Sequence, residues 1–276
     1  MRMFLLTLLA MAAFAANSVL NRAAVGLHGM DPMVFGTIRL AAGAFALALM
    51  ITFTLRGFAL GGSGRVVAVA GLLLYIFGFS LAYQRLDAGL GALILFGVVQ
   101  ITMFAGALVG KERFPRNRWI GAVLALCGLA WLLWPGGSVQ VTVVHVTLMV
   151  AAGIGWGVYS LQGRRETDAT QATAMNFILA APFALIFMRG VPSEGTISTA
   201  GVALALTSRI ITSGLGYSLW YRLLPELGAS RAAVAQLTVP VLAMAGGMVL
   251  LAEPLTLQFS IAALLVIGGV LVSMRN

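Results

Sequence analysis

Among the 276 residues of this chain, Arg209 offers the most chemistry. It falls about midway along an apolar stretch, where a charge costs at least ~2.5–3.5 kcal/mol on insertion scales. Ser213, Gly216 and Trp220 follow at helical spacing, so a donor, a gap and a ring share its face. A guanidinium there could hold a carboxylate through paired hydrogen bonds. The other reading is that Arg209 snorkels, or locks two helices through backbone carbonyls. Tyr75, Phe79 and Tyr83 form a stripe at i, i+4 and i+8. Such a stripe is either packing or a cavity wall, and its buried hydroxyls need partners. Trp156 and Tyr159 pose the same choice. Asn17, Gln100 and Gln236 are amides in apolar stretches, readable as helix–helix glue worth about 0.6 kcal/mol each or as cavity lining. Asn176 reads as glue, and Arg39, about two turns from a helix end, as a structural anchor whose stem reaches headgroups or as an inter-helix bond, with a gate or vestibule role second.

The absences narrow the chemistry further. His28, His145 and the single Cys127 cannot make a zinc cluster or a Cys–His dyad by spacing. Gly61-Gly-Ser-Gly64 lacks the Lys-Ser/Thr ending of a phosphate loop. No catalytic residue, metal or cofactor is expected, and a membrane-embedded enzyme lacks its nucleophile–base pair. No Asp or Glu falls mid-helix, since Glu112 and Glu253 end helices. Buried arginines without buried carboxylates favour a solute bearing a carboxylate over a lipophilic cation. They also favour facilitated diffusion over tight proton coupling.

The elements that must position these residues are legible in the composition. Hydrophobic residues make up 61% of the chain and charged ones 9%, against about 25% charged in soluble domains. That excludes a soluble enzyme or DNA-binding protein. The net charge of +9 is spread singly at helix ends, with no basic run that could form a nucleic-acid patch. Apolar runs predict helices at 3–21, 33–54, 66–85, 88–109, 118–135, 142–163, 170–189, 197–222, 230–250 and 255–273. Ala13-Phe14-Ala15 has the form of a signal-peptidase site, but the stretch has a counterpart later in the chain and reads as the first helix. Arg22, Arg85 and Arg189 fall on one side, Arg39 and Arg209 inside helices, and the other twelve of 17 Lys/Arg on the opposite side. The positive-inside rule then puts both termini in the cytoplasm, with the protein in the inner membrane.

The chain repeats itself. Phe79-Ser-Leu-Ala-Tyr-Gln-Arg-Leu86 matches Tyr217-Ser-Leu-Trp-Tyr-Arg-Leu-Leu224, and Glu112 matches Glu253. Gly121 and Gly128 match Ala262 and Gly269, while Phe14, Ser18 and Arg22 match Trp156, Ser160 and Arg164. Five helices per repeat is an odd number, so the halves must be inverted. The expected fold is an all-α polytopic membrane protein of ten transmembrane helices, in two inverted five-helix repeats at 1–137 and 138–276. Inverted repeats place a site near the bilayer midplane and give two states of similar energy, one open to each side.

These features resemble the EamA family of the drug/metabolite transporter superfamily. The resemblance rests on Phe14 to Arg22, on Phe35-Gly-Thr-Ile-Arg39-Leu, on Tyr217-Ser-Leu-Trp-Tyr-Arg222, on Gly228-Ala-Ser, and on Leu251-Ala-Glu253-Pro-Leu-Thr. It implies an exporter of small organic solutes, amino acids or related metabolites first. The aromatic amino acid exporters come nearest to the aromatic content seen here. A broad drug or nucleotide-sugar-type carrier is the rival reading. The resemblance also implies a cavity lined by helices 1, 3, 4, 6, 8 and 9, with helices 5 and 10 packing the halves together. The expected lining is Asn17, Tyr75, Phe79, Tyr83, Gln100, Trp156, Tyr159, Arg209, Ser213, Tyr217, Trp220 and Gln236. The expected partners are the solute and the lipid bilayer, with no nucleic acid, and the protein is expected as a monomer or loose homodimer.

Overall fold

The computed structural model describes residues 2–53, 64–110, 116–134, 142–163, 166, 168–190, 195–209, 212, 219, 223, 235–236 and 238–273. Ten α-helices run through them: α1 Arg2–Asn21, α2 Pro32–Phe53, α3 Arg65–Ala82, α4 Ala88–Val109 and α5 Arg116–Leu132, then α6 Val143–Gly163, α7 Ala169–Gly190, α8 Thr199–Thr207, α9 Thr238–Leu251 and α10 Leu257–Ser273. Six stretches are long and apolar enough to span a bilayer, and three more are shorter apolar helices. Among the described residues, β-structure amounts to one isolated bridge between Met30 and Thr196.

Large apolar side chains face outward on nearly every helix, including Phe4, Phe45, Phe53, Trp119, Trp134, Leu185, Val249 and Leu264. A surface of that kind is stable only against lipid. Helix ends are finished by short polar side chains. Asp31 Oδ1 accepts from Met33 N and Val34 N at 2.8 and 2.9 Å, and Ser198 Oγ accepts from Gly201 N at 3.0 Å. The α1 backbone does not stop at Asn21 but widens into a π-helical turn, Arg22–Leu27. Residues 208, 209 and 212, beyond α8, are π-helical too.

The halves interlock rather than sit side by side. α3 packs chiefly on α6, α4 on α6 and α9, α1 on α9, α2 on α7, and α5 on α10. Exchanging helix n for helix n+5 maps α2–α7 and α5–α10 onto themselves and turns α4–α6 into α9–α1, as an inverted repeat requires. The matched small residues meet across α5–α10. A Cβ on Gly269 would lie 2.6 Å from the Gly121 carbonyl oxygen, and one on Gly128 would lie 3.0 Å from that of Ala262. α3 and α6 approach as closely, because a Cβ on Gly155 would lie 2.6 Å from Gly71 O and 2.8 Å from Tyr75 N. Backbone contact of this kind drives helix association where lipid supplies no hydrophobic force. Gly155→Val should therefore destabilise the protein by at least about 1–3 kcal/mol, the usual cost of overpacking. Thermal unfolding in detergent would register it as a lowered midpoint.

Candidate functional site

Asn17 organises the centre. It sits buried late in α1, where Nδ2 donates to the Tyr75 hydroxyl of α3 at 3.3 Å. Its Oδ1 accepts from Ser208 Oγ at 2.7 Å and from Thr212 Oγ1 at 3.4 Å, both in the π-helical stretch after α8. Thr212 Oγ1 also donates to the Ser208 carbonyl. One amide thus ties two helices of the first half to the second half. Beside it opens a narrow cavity with about 20 Å³ of free space, walled by Phe14, Asn17 and Ser18 of α1, Tyr75 and Phe79 of α3, Leu95 and Phe96 of α4, Trp156 of α6, and Thr212.

A ladder of rings borders this cavity. Tyr159 stacks on Trp156 at 5.4 Å, Trp156 tilts onto Tyr75 at 4.7 Å, Tyr75 meets Phe79 at 5.3 Å, and Phe79 meets Tyr83 edge-on at 4.7 Å. The residues expected to line the site therefore divide. Asn17, Tyr75, Phe79 and Trp156 are cavity walls. Tyr159 lies behind Trp156, with its hydroxyl 3.5 Å from Thr173 Oγ1. Tyr83 is fully buried and donates to the Ala88 carbonyl at 3.2 Å, so it belongs to the helix junction and not to the wall. Gln100 and Gln236 are half-buried and are not among the wall residues. No described α9 residue contributes to the wall either. Ser213, Tyr217 and Trp220 lie outside the described residues. Phe14, Ser18, Leu95, Phe96 and Thr212 are further walls, beyond the expected lining. Ser18 was readable as one residue on from Asn17, and the two Leu/Phe positions carried no signal.

Arg209 is not among the described wall residues. It is buried, and its guanidinium lies 4.1 Å from the centroid of Phe177 on α7. It fills the gap above Gly43 on α2, where a Cβ would collide with it. The charge is held between α2 and α7, off the cavity wall, and a desolvated cation over an aromatic face offsets part of its cost. Gly43→Ala should expel the guanidinium and lower the unfolding midpoint, whereas the double change Gly43→Ala/Arg209→Gln should recover part of the loss. Melting curves of the three variants would test that coupling.

Arg39 is enclosed in the bundle and does not extend to headgroups. It is 3% exposed, and its guanidinium lies 5.8 Å from the ring centroid of Phe35 and 5.7 Å from that of Phe79.

Charge clusters tie the two ends of the bundle. Where α1 ends and α4 begins, Arg22 Nε donates to Glu253 at 3.3 Å and Arg22 Nη2 to Asp87 at 3.5 Å. Arg22 Nη1 donates to the carbonyls of Tyr83 and Gln84 at 3.2 and 3.0 Å. Glu253, in the α9–α10 connection, accepts from Ala88 N with both oxygens, at 3.0 and 2.8 Å. The residue read as merely ending a helix is therefore buried and bonded across the two halves. At the opposite end, Arg65 donates to Asn176 Oδ1 and the Ala172 carbonyl, each at 3.0 Å, and pairs with Glu166 at 3.3 Å. Asn176 is thus an inter-helix tie, as expected. Among the described residues, no group of His, Cys, Asp and Glu could hold a metal ion.

A model of the EamA-like transporter family matches residues 1–134 and 144–275. An uncharacterized protein of Pseudomonas aeruginosa is 42% identical over 269 residues, covering 98% of this chain and 93% of the relative. Proteins described as probable amino-acid metabolite efflux pumps align at lower identity. That of Escherichia coli is 26% identical, covering 95% of this chain and 92% of its own, and that of Salmonella typhimurium is 25% identical, covering 97% and 93%. A crystal structure superposes with a TM-score of 0.68 at 19% identity, over 97% of this chain and 96% of the other, a likeness of fold.

Proposed function

The chain belongs to the EamA-like transporter family, and on that premise we propose that it exports small organic solutes bearing a carboxylate, amino acids or related metabolites first, by alternating access around the central cavity. One observation carries the reading. The cavity beside Asn17 is walled by residues of both halves, and it combines rings with the polar groups of Asn17, Ser18 and Thr212. Rings suit an apolar solute side chain, and the hydroxyls and amide suit a polar head. The two relatives described as probable amino-acid metabolite efflux pumps support the same class of solute.

The distribution of Lys and Arg favours cytoplasmic termini in the inner membrane. That orientation puts the Arg22–Glu253 cluster at the external end and the Arg65–Glu166 cluster at the cytoplasmic end. Export then requires the two clusters to loosen in turn, each half serving as a rigid body in the other's motion. The protein works as a monomer or loose homodimer.

Flux in proteoliposomes tests the reading. Labelled amino acids of aliphatic, sulfur-containing and aromatic types and a lipophilic cation would be compared, each with and without a pH gradient. Saturable flux of amino acids in preference to the cation is expected. Equal flux of both would replace the reading with a broad drug carrier, and no flux of either would remove it.

A further inference from the structure

Arg39 lies seven residues into α2, about 10 Å along the helix axis from Pro32. Its Nε and Nη1 are buried and have no hydrogen-bond acceptor. Two other guanidiniums have anionic and carbonyl partners: half-buried Arg22 has Glu253, Asp87 and two carbonyls, and buried Arg65 has Asn176, Glu166 and a carbonyl, although its Nε too lacks an acceptor. At Arg39 the neighbours are two rings. Cation–π contact returns about 0.5–2 kcal/mol, whereas each unmade buried hydrogen bond costs about 1–3 kcal/mol, more at a charged group. The rings do not close that gap, and a guanidinium keeps its charge in proteins. The environment therefore lacks an anion.

The position of the cover says where an anion would come from. Phe79, which lies against Arg39, is also a wall of the central cavity, so the guanidinium and that space share one ring. A second orphan complements the first. Asn21, one helical turn beyond the wall residue Asn17, donates Nδ2 to Ser80 Oγ at 3.4 Å, yet its buried Oδ1 has no donor. Ser80 is next to Phe79 in α3. Unmatched donors at Arg39 and an unmatched acceptor at Asn21 are the complement of a solute with a carboxylate and an ammonium group.

Building on the proposed transport reading, we propose that Arg39, reached from the central cavity when the Phe79 ring turns aside, is the anchor for the carboxylate of the transported solute. Arg209, clamped between α2 and α7, is then a structural cation, and Arg39 is the one that selects for negative charge.

The test uses the full chain in detergent and a matched pair of probes, phenylacetate and its neutral isostere phenylacetamide. Thermal stabilisation of the wild type should need about tenfold less phenylacetate than phenylacetamide, the worth of one charge-assisted hydrogen bond. Arg39→Gln should erase that difference, and Arg39→Lys should keep part of it. Because Arg39→Gln could fail to fold, the wild type is also treated with phenylglyoxal, and modification of Arg39 is read by peptide mass spectrometry. Phenylacetate should slow that modification and phenylacetamide should not. The proposal is overturned if the acid–amide difference is missing in the wild type or survives Arg39→Gln. It is equally overturned if Arg39 is not protected, or is unreactive with and without phenylacetate. Equal protection by chloride would assign a halide site instead. Amino-acid flux in proteoliposomes separates the two readings. Flux without protection of Arg39 removes only the anchor, and protection without flux removes only the solute class.

Discussion

Trp156→Ala is expected to raise the solute concentration for half-maximal flux by about tenfold or more, with Trp156→Phe close to the wild type. Trp156 is the α6 member of the cavity wall and the second rung of the ladder, between Tyr75 at 4.7 Å and Tyr159 at 5.4 Å. Aromatic pairs contribute about 0.5–1.5 kcal/mol each beyond area burial. Losing the indole therefore frees both tyrosine rings at the place where a solute side chain would rest. Phe restores a ring of similar footprint, which separates contact with the solute from mere polarity. Asn17→Ala should be harsher, because it removes the amide that Tyr75, Ser208 and Thr212 share and with it the tie between the halves. Concentration-dependent uptake of a transported amino acid, beside melting curves that certify the fold, checks both. Wild-type uptake by Trp156→Ala would remove the cavity from the transport path.

The second large effect concerns pH. Glu253 has its carboxyl pushed up to about 7 from 4.5, chiefly by burial and then by Asp87 nearby, while the Ala88 N–H and Arg22 pull it back. It lies in the connection between α9 and α10 and faces Arg22 from the α1 extension, and Asp87, Ala88 and Tyr83 at the α3–α4 junction. The sign follows from linkage. A carboxyl raised in the closed arrangement binds its proton more tightly there than when water reaches it. Closing this end thus takes up a proton. The advantage is fully present below pH 4.5 and is lost as pH rises through about 7. The interval corresponds to about 3 kcal/mol in favour of closure at low pH. Flux limited by opening of this end should therefore rise between about pH 6 and 8. Glu253→Gln, which keeps the shape of the protonated acid, should flatten that rise and hold the end closed. Uptake measured across that range in both proteins decides the matter, and an unchanged slope in Glu253→Gln would assign the titration elsewhere.

These two residues also mark where sequence reasoning succeeds and where it stops. Helix positions and the duplication were legible because length, glycine pairing and charge at helix ends are one-dimensional signals. Gly121 and Gly269, each a small residue of the repeat match, face each other in the α5–α10 contact. Tyr75, Phe79 and Trp156 were legible as rings on inward faces, and Asn17 as an amide that must be satisfied. Which way a side chain points was harder to read, because a membrane helix is apolar toward both lipid and neighbours and periodicity no longer separates the two faces. Arg209 shows a further cause. Its expected face assumed α-helical spacing through Ser213 to Trp220, but residues 208, 209 and 212 are π-helical, and that wider turn rotates the register. Arg39 looked near enough to the helix end to reach headgroups, yet Phe35 and Phe79 enclose it. Glu253 and Arg22 are 231 positions apart, so their pairing is a product of the inverted packing alone.

The most direct test of the central claim is alternating exposure of the cavity wall. In a Cys127→Ser background, which removes the single native thiol, Ser18→Cys places a reactive group in that wall. Membrane-impermeant thiol reagents would then be added from each side of oriented vesicles in turn. Labelling from both sides, slowed in each case by a transported amino acid, is the expected result. Flux that proceeds while the thiol stays unreactive from both sides, or labelling that no solute slows, would contradict transport through this cavity.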